Sequence, residues 1–383
     1  MRRILDLSRE ISRNPDRAES LLERFVRETS FPIVEDHEAT FFFWDGKPAE
    51  SVFLQHWVFG LASRVEFRKI RHTNAFYLPL TLPRNARVEY KFEVMRDGQG
   101  HWTRDPRNKH LAFDPFGSNS VCRAPSYVEP EWTHEDKASR RGDLREFSFK
   151  SAVYDEERSF KVYIPAEFRP GKRYPLLMVH DGNDFLHYAG MRAVLDNLIH
   201  RHEVAPMLAC FTSGHARNRE YAANPTQAEY LKEELLPWLE RHLPLLRGAE
   251  HRGLMGASFG AVSSLYAAHR YPGTWGRLLL QSGSFAFTDI GEHERGPLWD
   301  PVVQFVNQLR ESAPRIPSRV YLSCGTFESL IYYNRSLYPF FQEQAEDVLY
   351  TEAPDGHNWI NWRDRLREGL SYLFPGPLWM YYE

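Results

Sequence analysis

The sequence predicts a chain of two parts, an all-β sandwich followed by a larger, mostly parallel α/β sheet with helices on both faces. Three observations carry this prediction. Short apolar runs bounded by turn residues occupy residues 31–125. After Asp143 strand-like and helix-like segments alternate, which is typical of a parallel sheet. Residues 256–260 form a Gly-x-Ser-x-Gly segment between a predicted strand and a predicted helix.

Composition narrows the class of protein. The 383 residues are enough for two domains, and the net charge of −3 gives no electrostatic case for a nucleic acid or an anionic membrane as partner. Cys122, Cys210 and Cys324 are scattered without metal-ligand spacing, so neither a disulfide framework nor a metal site is indicated. The amino end lacks an apolar signal core, and no apolar run approaches the ~18 residues that cross a bilayer. We expect a cytoplasmic protein.

The first part begins with a helical segment. Apolar residues recur at helical spacing over residues 1–30, and Asn14-Pro15-Asp16 predicts a break into two short helices. A β-sandwich is then predicted over residues 31–127, since several strands are separated by turn signals. Its clearest strands are residues 40–44, 51–54, 75–80 and 88–94. Residues 128–142 are polar and charged and predict a linker.

The second part, residues 143–383, alternates strands and helices to its end. The predicted strands are residues 160–164, 175–179, 207–211, 253–255, 277–281, 319–323 and 348–350. The predicted helices are residues 192–201, 225–242, 259–270, 302–311 and 336–344, with a last helix after residue 361. This order predicts helices on both faces of one sheet.

Ser258 is the candidate nucleophile. It is the serine of the Gly-x-Ser-x-Gly segment, in the strand-to-helix context of the nucleophile elbow of α/β hydrolases. The flanking glycines allow the backbones to pass closely, and the start of the following helix favours developing negative charge. The alternative is a glycine-rich turn with a serine that caps the helix.

His357 is the candidate base among sixteen histidines. A serine hydroxyl needs a base, and in α/β hydrolases the chain order is serine, acid, histidine. His357 lies in the loop between the last predicted strand and the last helix. His269 falls within the helix after the elbow and His293 in a charged loop, so neither fits. The alternative for His357 is an exposed loop histidine.

Glu328 is the candidate acid, because it follows the strand at residues 319–323 by a few positions, where the orienting carboxylate belongs. Asp355, two residues before His357, is the competitor. Glu328 could also be an ordinary acidic residue at a helix start.

The oxyanion hole needs two backbone N–H groups. Phe259, directly after the nucleophile, should supply one. Asn183, in the loop after the strand at residues 175–179, is expected to supply the other, with Gly182 allowing the bend. A simple β-to-α turn would explain the same residues.

Substrate contacts are expected from the edge where the strands end. Arg217 and Arg219 lie on such a loop and could bind a carboxylate or a phenolate-rich substrate. They could equally be solvated or form an ion pair with Glu220. Trp359 and Trp362, beside His357, could line an aromatic cleft or belong to the core of the final helix.

Together these motifs resemble the enterochelin (ferric enterobactin) esterase family, within the esterase-D-like group. The residues that carry the resemblance are Phe41–Trp44, Val88–Phe92, Asp105–Asn108, His180–Gly182, Arg219–Tyr221, Glu233–Trp238, Gly256–Gly260 and Gly356–Trp362. The resemblance implies an α/β-hydrolase catalytic domain, a Ser258, Glu328 and His357 triad, and Arg219 near the substrate. It also implies that the first domain is an immunoglobulin-like sandwich.

The preferred interpretation is a serine esterase that forms an acyl-enzyme and needs no metal or organic cofactor. Its partner is a small-molecule ester, and the resemblance implies the trilactone of a catecholate siderophore, cleaved in the cytoplasm to release iron. Two other hypotheses stay open. One is a general carboxylesterase or acyltransferase on another small acyl substrate. The other is a binding protein whose sandwich docks carbohydrate.

Overall fold

The computed structural model describes residues 1–288 and 293–377. The chain forms two compact units. The first unit comprises Met1–Val128 together with two short segments from later in the chain, Thr326–Ser329 and Ala353–His357. The second unit comprises the intervening and remaining residues from Glu129 onward.

The first unit opens with two helices, α1 (Arg2–Arg13) and α2 (Ala18–Arg27), separated by a 3₁₀ turn at Pro15–Arg17. The predicted break is confirmed, because Pro15 has no N–H to continue the helix from α1. One face of each helix is buried, and these faces pack against Phe31 and Phe42, which follow in the chain. The buried helix residues are Ile4, Leu7, Ile11, Ala18, Leu21 and Leu22.

Two antiparallel sheets follow, with strand orders β1-β2-β6-β5 and β4-β3-β7-β10-β9, and β8 pairs with β7. Alternate residues of β2 face opposite sides: Phe41 and Phe43 pack with Tyr90 and Phe92 of β7 between the sheets, whereas Phe42 packs with the helices. The strands are β1 (Ile33–Glu35), β2 (Glu38–Phe43), β3 (Ser51–His56), β4 (Arg64–Glu66), β5 (Arg68–Lys69), β6 (Phe76–Thr81), β7 (Arg87–Arg96), β8 (Gln99–Thr103), β9 (Leu111–Asp114) and β10 (Gly117–Arg123).

The second unit is built on one eight-stranded sheet with the order β11-β12-β14-β13-β15-β16-β17-β18. The pairs from β14 through β13, β15 and β16 to β17 are parallel, and β11 and β12 add an antiparallel edge. The predicted mostly parallel sheet is therefore confirmed. Its strands are β11 (Asp143–Ser151), β12 (Glu156–Ile164), β13 (Leu176–Val179), β14 (Leu208–Thr212), β15 (Arg252–Ala257), β16 (Arg277–Gln281), β17 (Ile316–Gly325) and β18 (Ala345–Ala353).

Helices cover both faces of this sheet, and each face has its own apolar core. The predicted helix over residues 225–242 is continuous, but its middle turn, Tyr230–Leu235, is a π-helix. The helices are α3 (Gly182–His187), α4 (Met191–His200), α5 (Arg217–Tyr221), α6 (Pro225–Glu229), α7 (Leu236–His242), α8 (Phe259–Arg270), α9 (Asp300–Ser312), α10 (Ile331–Gln344), α11 (Trp359–Asp364) and α12 (Leu366–Leu373).

The described residues, 1–288 and 293–377, have neither a membrane-spanning helix nor a metal-binding cluster. They contain no helix that is long and apolar enough to cross a bilayer. They also contain no group of three or more histidine, cysteine or acidic side chains that could hold a metal ion.

Candidate active site

Ser258 occupies the sharp turn between β15 and α8. Its backbone angles are φ 57° and ψ −122°, a region that non-glycine residues rarely adopt and that costs about 1–3 kcal/mol. The turn is held because the Ser258 N–H donates to the carbonyl of Gln281, at 2.9 Å. This strained strand-to-helix turn has the geometry of a nucleophile elbow, which presents the serine side chain at the tip of the turn.

The two motif glycines let the strand and the helix approach each other. A Cβ atom on Gly256 would lie 2.3 Å from backbone atoms of Gly260, a distance that no substitution could meet without moving the backbone. A Cβ atom on Gly260 would lie 3.2 Å from the Cβ of His180. The spacing of the motif therefore follows from the packing of α8 on β15 and β13.

His180 is the fully buried residue beneath the elbow. Its Nδ1 lies 3.1 Å from the carbonyl oxygen of Met255, and its Nε2 lies 3.0 Å from the hydroxyl of Ser263. Its ring also packs edge-on against Tyr221. Burial lowers the pKa of His180 to about 4, against a weaker opposing effect of the hydrogen bond with Met255. The ring is therefore neutral at pH 7 and supports the elbow from below.

The lowered pKa of His180 predicts acid sensitivity. An unfolded chain protonates this histidine near pH 6.5, whereas the folded chain does so only near pH 4. Between these values the unfolded state binds more protons, so stability is lost as the pH falls, by about 3 kcal/mol. Replacing His180→Asn should remove this part of the loss, as measured by urea unfolding at pH 7 and pH 4. An equal loss in the variant and the wild type would contradict the assignment.

Ser284 is a neighbour of the candidate nucleophile Ser258 that is not among the residues predicted from the sequence. Its hydroxyl oxygen lies 3.1 Å from that of Ser258, and its N–H donates to the Ser258 carbonyl at 3.2 Å. It follows β16, and the preceding Ser282 accepts a hydrogen bond from the indole N–H of Trp362, at 2.9 Å. The available signal was a run of small polar residues directly after a parallel strand, where ligands bind in α/β sheets.

His357 and Glu328 lie together in the first unit. Glu328 belongs to residues 326–329, called here the acid loop, and His357 ends residues 353–357, the histidine loop. Nδ1 of His357 lies 2.6 Å from Oε2 of Glu328. The Glu328 side chain is 1% exposed and that of His357 is 38% exposed. A buried carboxylate that accepts a hydrogen bond from Nδ1–H orients the ring and leaves Nε2 as the basic nitrogen.

Asp355, the competing acid, has a different partner. Its two carboxylate oxygens accept from Nη1 of Arg87, at 3.2 and 3.3 Å, and Oδ1 also accepts from the N–H of Gly356, at 2.7 Å. The other two histidines that follow the serine also have contacts of their own. His269 packs against the ring of Phe305, and His293 is hydrogen-bonded to Asp300.

The two predicted oxyanion donors both lie at helix starts. Phe259 is the first residue of α8, and Asn183 is the second residue of α3. The first N–H groups of a helix have no partner within the helix, so they are suited to bind an anion. The side chain of Asn183 accepts a hydrogen bond from Lys161 at 3.0 Å, which leaves its backbone N–H as the group of interest.

The two arginines expected at the substrate differ from each other. Arg217 forms a two-point ion pair with the buried carboxylate of Asp181, at 2.6 Å for each bond. The sequence left open an ion pair with Glu220. That alternative is wrong, because Glu220 bonds to Arg158 at 3.0 and 3.1 Å. Arg219 is exposed on the short helix α5.

The two tryptophans of α11 belong to the core, which is one of the two alternatives that the sequence left open. Trp359 is 9% exposed and packs edge-on against Phe185 and Trp362. Trp362 is also buried. Trp359 therefore has little exposed surface to offer a substrate.

The chain matches a known protein family. The family model "Esterase: Putative esterase" matches residues 151–373, more than half of the chain. The chain belongs to this esterase family. It is 26% identical over 234 residues to the iron(III) enterobactin esterase of Escherichia coli O6:H1, a match that covers 60% of the chain. The match covers 57% of that relative, less than two thirds of its length.

Solved structures of similar fold cover almost the whole chain. The ferric enterobactin esterase from Salmonella typhimurium superposes with a TM-score of 0.76 at 20% identity, over 92% of this chain and 98% of that one. The enterobactin esterase from Shigella flexneri, solved in the presence of enterobactin, gives 0.72 at 21% identity, over 89% and 94%. The predicted resemblance to enterochelin esterases and the predicted α/β fold class are confirmed.

Proposed function

We propose that this protein is a serine esterase that cleaves the ester bonds of a catecholate siderophore. The observation that carries the proposal is the strained elbow at Ser258, whose φ of 57° places a serine at the start of α8. A capping serine does not require this strain, because helix caps ordinarily adopt extended backbone angles. The hydrogen bond between His357 and Glu328 supports their proposed roles as the base and the acid that orients it.

In the proposed mechanism, Oγ of Ser258 attacks the ester carbonyl while Nε2 of His357 takes its proton. The N–H groups of Phe259 and Asn183 stabilise the oxyanion of the tetrahedral intermediate. The intermediate collapses, the C–O bond to the alcohol breaks, and His357 returns the proton to the leaving alkoxide. Water then attacks the acyl-enzyme with the same base and releases the acid. Glu328 accepts the Nδ1 hydrogen bond throughout.

The placement of these residues on the sheet supports the triad. Ser258 follows β15 and Glu328 follows β17 by three residues, and the parallel pairs β15–β16 and β16–β17 bring the ends of these strands to one edge. His357 follows β18, the neighbour of β17 in the sheet. Loops at this edge carry the ligand and the catalytic groups in open α/β sheets.

The substrate class is proposed from the relatives. One curated relative is an iron(III) enterobactin esterase, and one similar structure was solved in the presence of enterobactin. The exposed guanidinium of Arg219 is suited to bind the catecholate oxygens, since arginine donates in a planar fork. Arg217 lies on the same loop, but its guanidinium is paired with the carboxylate of Asp181, so Arg219 is the arginine proposed to contact the substrate.

The proposed domain division is a helical segment at residues 1–30, a sandwich at 31–127, a linker at 128–142 and a catalytic domain at 143–383. Two antiparallel sheets that share one core support an immunoglobulin-like sandwich. The cytoplasmic location expected from the sequence stays a prediction.

The substrate is tested by comparing kcat/KM for iron(III) enterobactin with that for p-nitrophenyl butyrate. We expect the siderophore to be preferred by about 10²-fold or more, because binding energy from its remote aromatic arms can be used in the transition state. Cleavage of the p-nitrophenyl ester alone would keep the serine mechanism and reject the siderophore, in favour of a general carboxylesterase. An Arg219→Lys variant is the matched probe, because it keeps the charge and loses the fork.

A further inference from the structure

The acid loop and the histidine loop are joined to each other through their backbones. The N–H of Thr326 donates to the carbonyl of Ala353 at 2.7 Å, and the N–H of Phe327 donates to the carbonyl of Asp355 at 3.1 Å. These bonds make the two loops one structural piece. Whatever holds the histidine loop in place therefore also holds the acid loop.

Arg87, the first residue of β7, contacts this piece at two points. Its backbone N–H donates to the carbonyl of Pro354 at 3.0 Å. Its Nη1 donates to both carboxylate oxygens of Asp355, at 3.2 and 3.3 Å, and its Nη2 donates to Glu89 at 2.8 Å. A guanidinium is suited to this task because its donors diverge in a rigid plane.

The contact is buried and charged. The side chain of Arg87 is 2% exposed, and that of Asp355 is similarly buried. Burial alone would lower the pKa of Arg87, but the charges of Asp355 and Glu89 outweigh it and raise that pKa above its ordinary value. The carboxylate of Asp355 also accepts from the N–H of Gly356, the residue before His357. The chain of bonds thus runs from β7 to the backbone beside the proposed base.

We propose that Arg87 is a positioning residue for the esterase reaction, which holds the histidine loop through Asp355 and thereby sets the place of both His357 and Glu328. The inference rests on the proposed function, because this placement matters to turnover only if His357 is the base. Arg87 is not expected to touch the ester. Through these bonds a strand of the first unit helps to place the proposed base.

Arg87→Lys and Asp355→Asn test this role. Lysine keeps the positive charge, but its single nitrogen cannot reproduce the contacts that Arg87 makes with Asp355 through Nη1 and with Glu89 through Nη2. Each variant should lower kcat about 10- to 100-fold, since small displacements of catalytic groups cost about this much. KM should change by less than about threefold, because uniform substrate binding is untouched. The double variant should be little worse than the worse single variant, as for residues that act as one unit.

Tyr90→Phe is the matched control for simple loss of stability. Tyr90 lies on the same strand, and its buried hydroxyl donates to Asp105 at 2.7 Å and accepts from Asn108 at 3.0 Å. Both of these partners lie outside the acid loop and the histidine loop. It should lower the melting temperature while kcat stays within about twofold of the wild type.

Three outcomes would overturn the inference. One is wild-type kcat in folded Arg87→Lys and Asp355→Asn. Another is an effect on KM alone. The third is an equal loss of kcat in Tyr90→Phe at the same melting temperature, which would indicate general destabilisation. If either Arg87→Lys or Asp355→Asn does not fold, the kcat of the other variant decides the question. Failure of the proposed function is distinguishable, because Ser258→Ala would then retain turnover.

Discussion

Ser258→Ala is expected to lower kcat by about 10⁵- to 10⁶-fold, the cost of removing the nucleophile from a serine hydrolase. Both residues carry a Cβ, so the strained turn at φ 57° is kept and the fold should be unchanged. Residual turnover of about 10³-fold over water is expected from the oxyanion donors and substrate binding. The measurement is initial-rate kinetics on a p-nitrophenyl ester, with thermal unfolding to confirm the fold.

The control for this variant is Ser312→Ala. Its exposed hydroxyl donates to the carbonyl of Gln308 on α9, and kcat should stay within about twofold of the wild type. Turnover by Ser258→Ala within tenfold of the wild type would mean that another group attacks the ester. The elbow would then be a structural turn, and the mechanism proposed here would be rejected.

Glu328→Gln has the second largest expected effect, a fall in kcat of about 10³- to 10⁴-fold. The amide has nearly the same shape as the carboxylate but can present an N–H to Nδ1 of His357, which favours the wrong tautomer of the ring. It also removes the negative charge that stabilises the imidazolium. The 2.6 Å contact and the burial of Glu328 make this cost large, since water cannot replace the lost acceptor.

Asp355→Asn is the comparison that decides between the two acids. Because Asp355 bonds to Arg87, its variant should lose far less kcat than Glu328→Gln, about 10- to 100-fold. The opposite order, with Asp355→Asn the more damaging, would assign the orienting role to Asp355. Equal and small losses would show that neither carboxylate orients the base.

The elbow could be predicted from sequence because its requirements are local. Gly256 and Gly260 are needed where α8 crosses β15, so the spacing of the motif follows from the close packing of this helix on this strand. Strand order then pointed to Glu328 and His357, since each follows the end of a strand. Helical breaks were equally local, as at Pro15.

Other features depend on contacts between distant parts of the chain. Arg87 and Asp355 are 268 residues apart, and nothing in the local pattern of β7 marks its first residue as an anchor for the histidine loop. The partner of Arg217 is Asp181, 36 residues earlier, and not the adjacent acid of its own helix. Ser284 comes close to Ser258 only because β16 pairs with β15 in the sheet.

The burial of Trp359 is another such case. Spacing alone could not tell a cleft wall from a core ring, because either role suits a tryptophan at the start of the last helices. The decision comes from Phe185 on α3, which packs against that ring. A side chain that could line a cleft or fill a core can be assigned only when the element that packs against it is known.

The most direct test of the central claim is covalent labelling of the wild-type protein with a fluorophosphonate, followed by peptide mass spectrometry. An activated serine is the group that such a probe modifies, and activation requires the base. We expect one adduct per chain, located at Ser258, with labelling strongly slowed in Glu328→Gln. An adduct at another serine, or no adduct on folded protein, would contradict it.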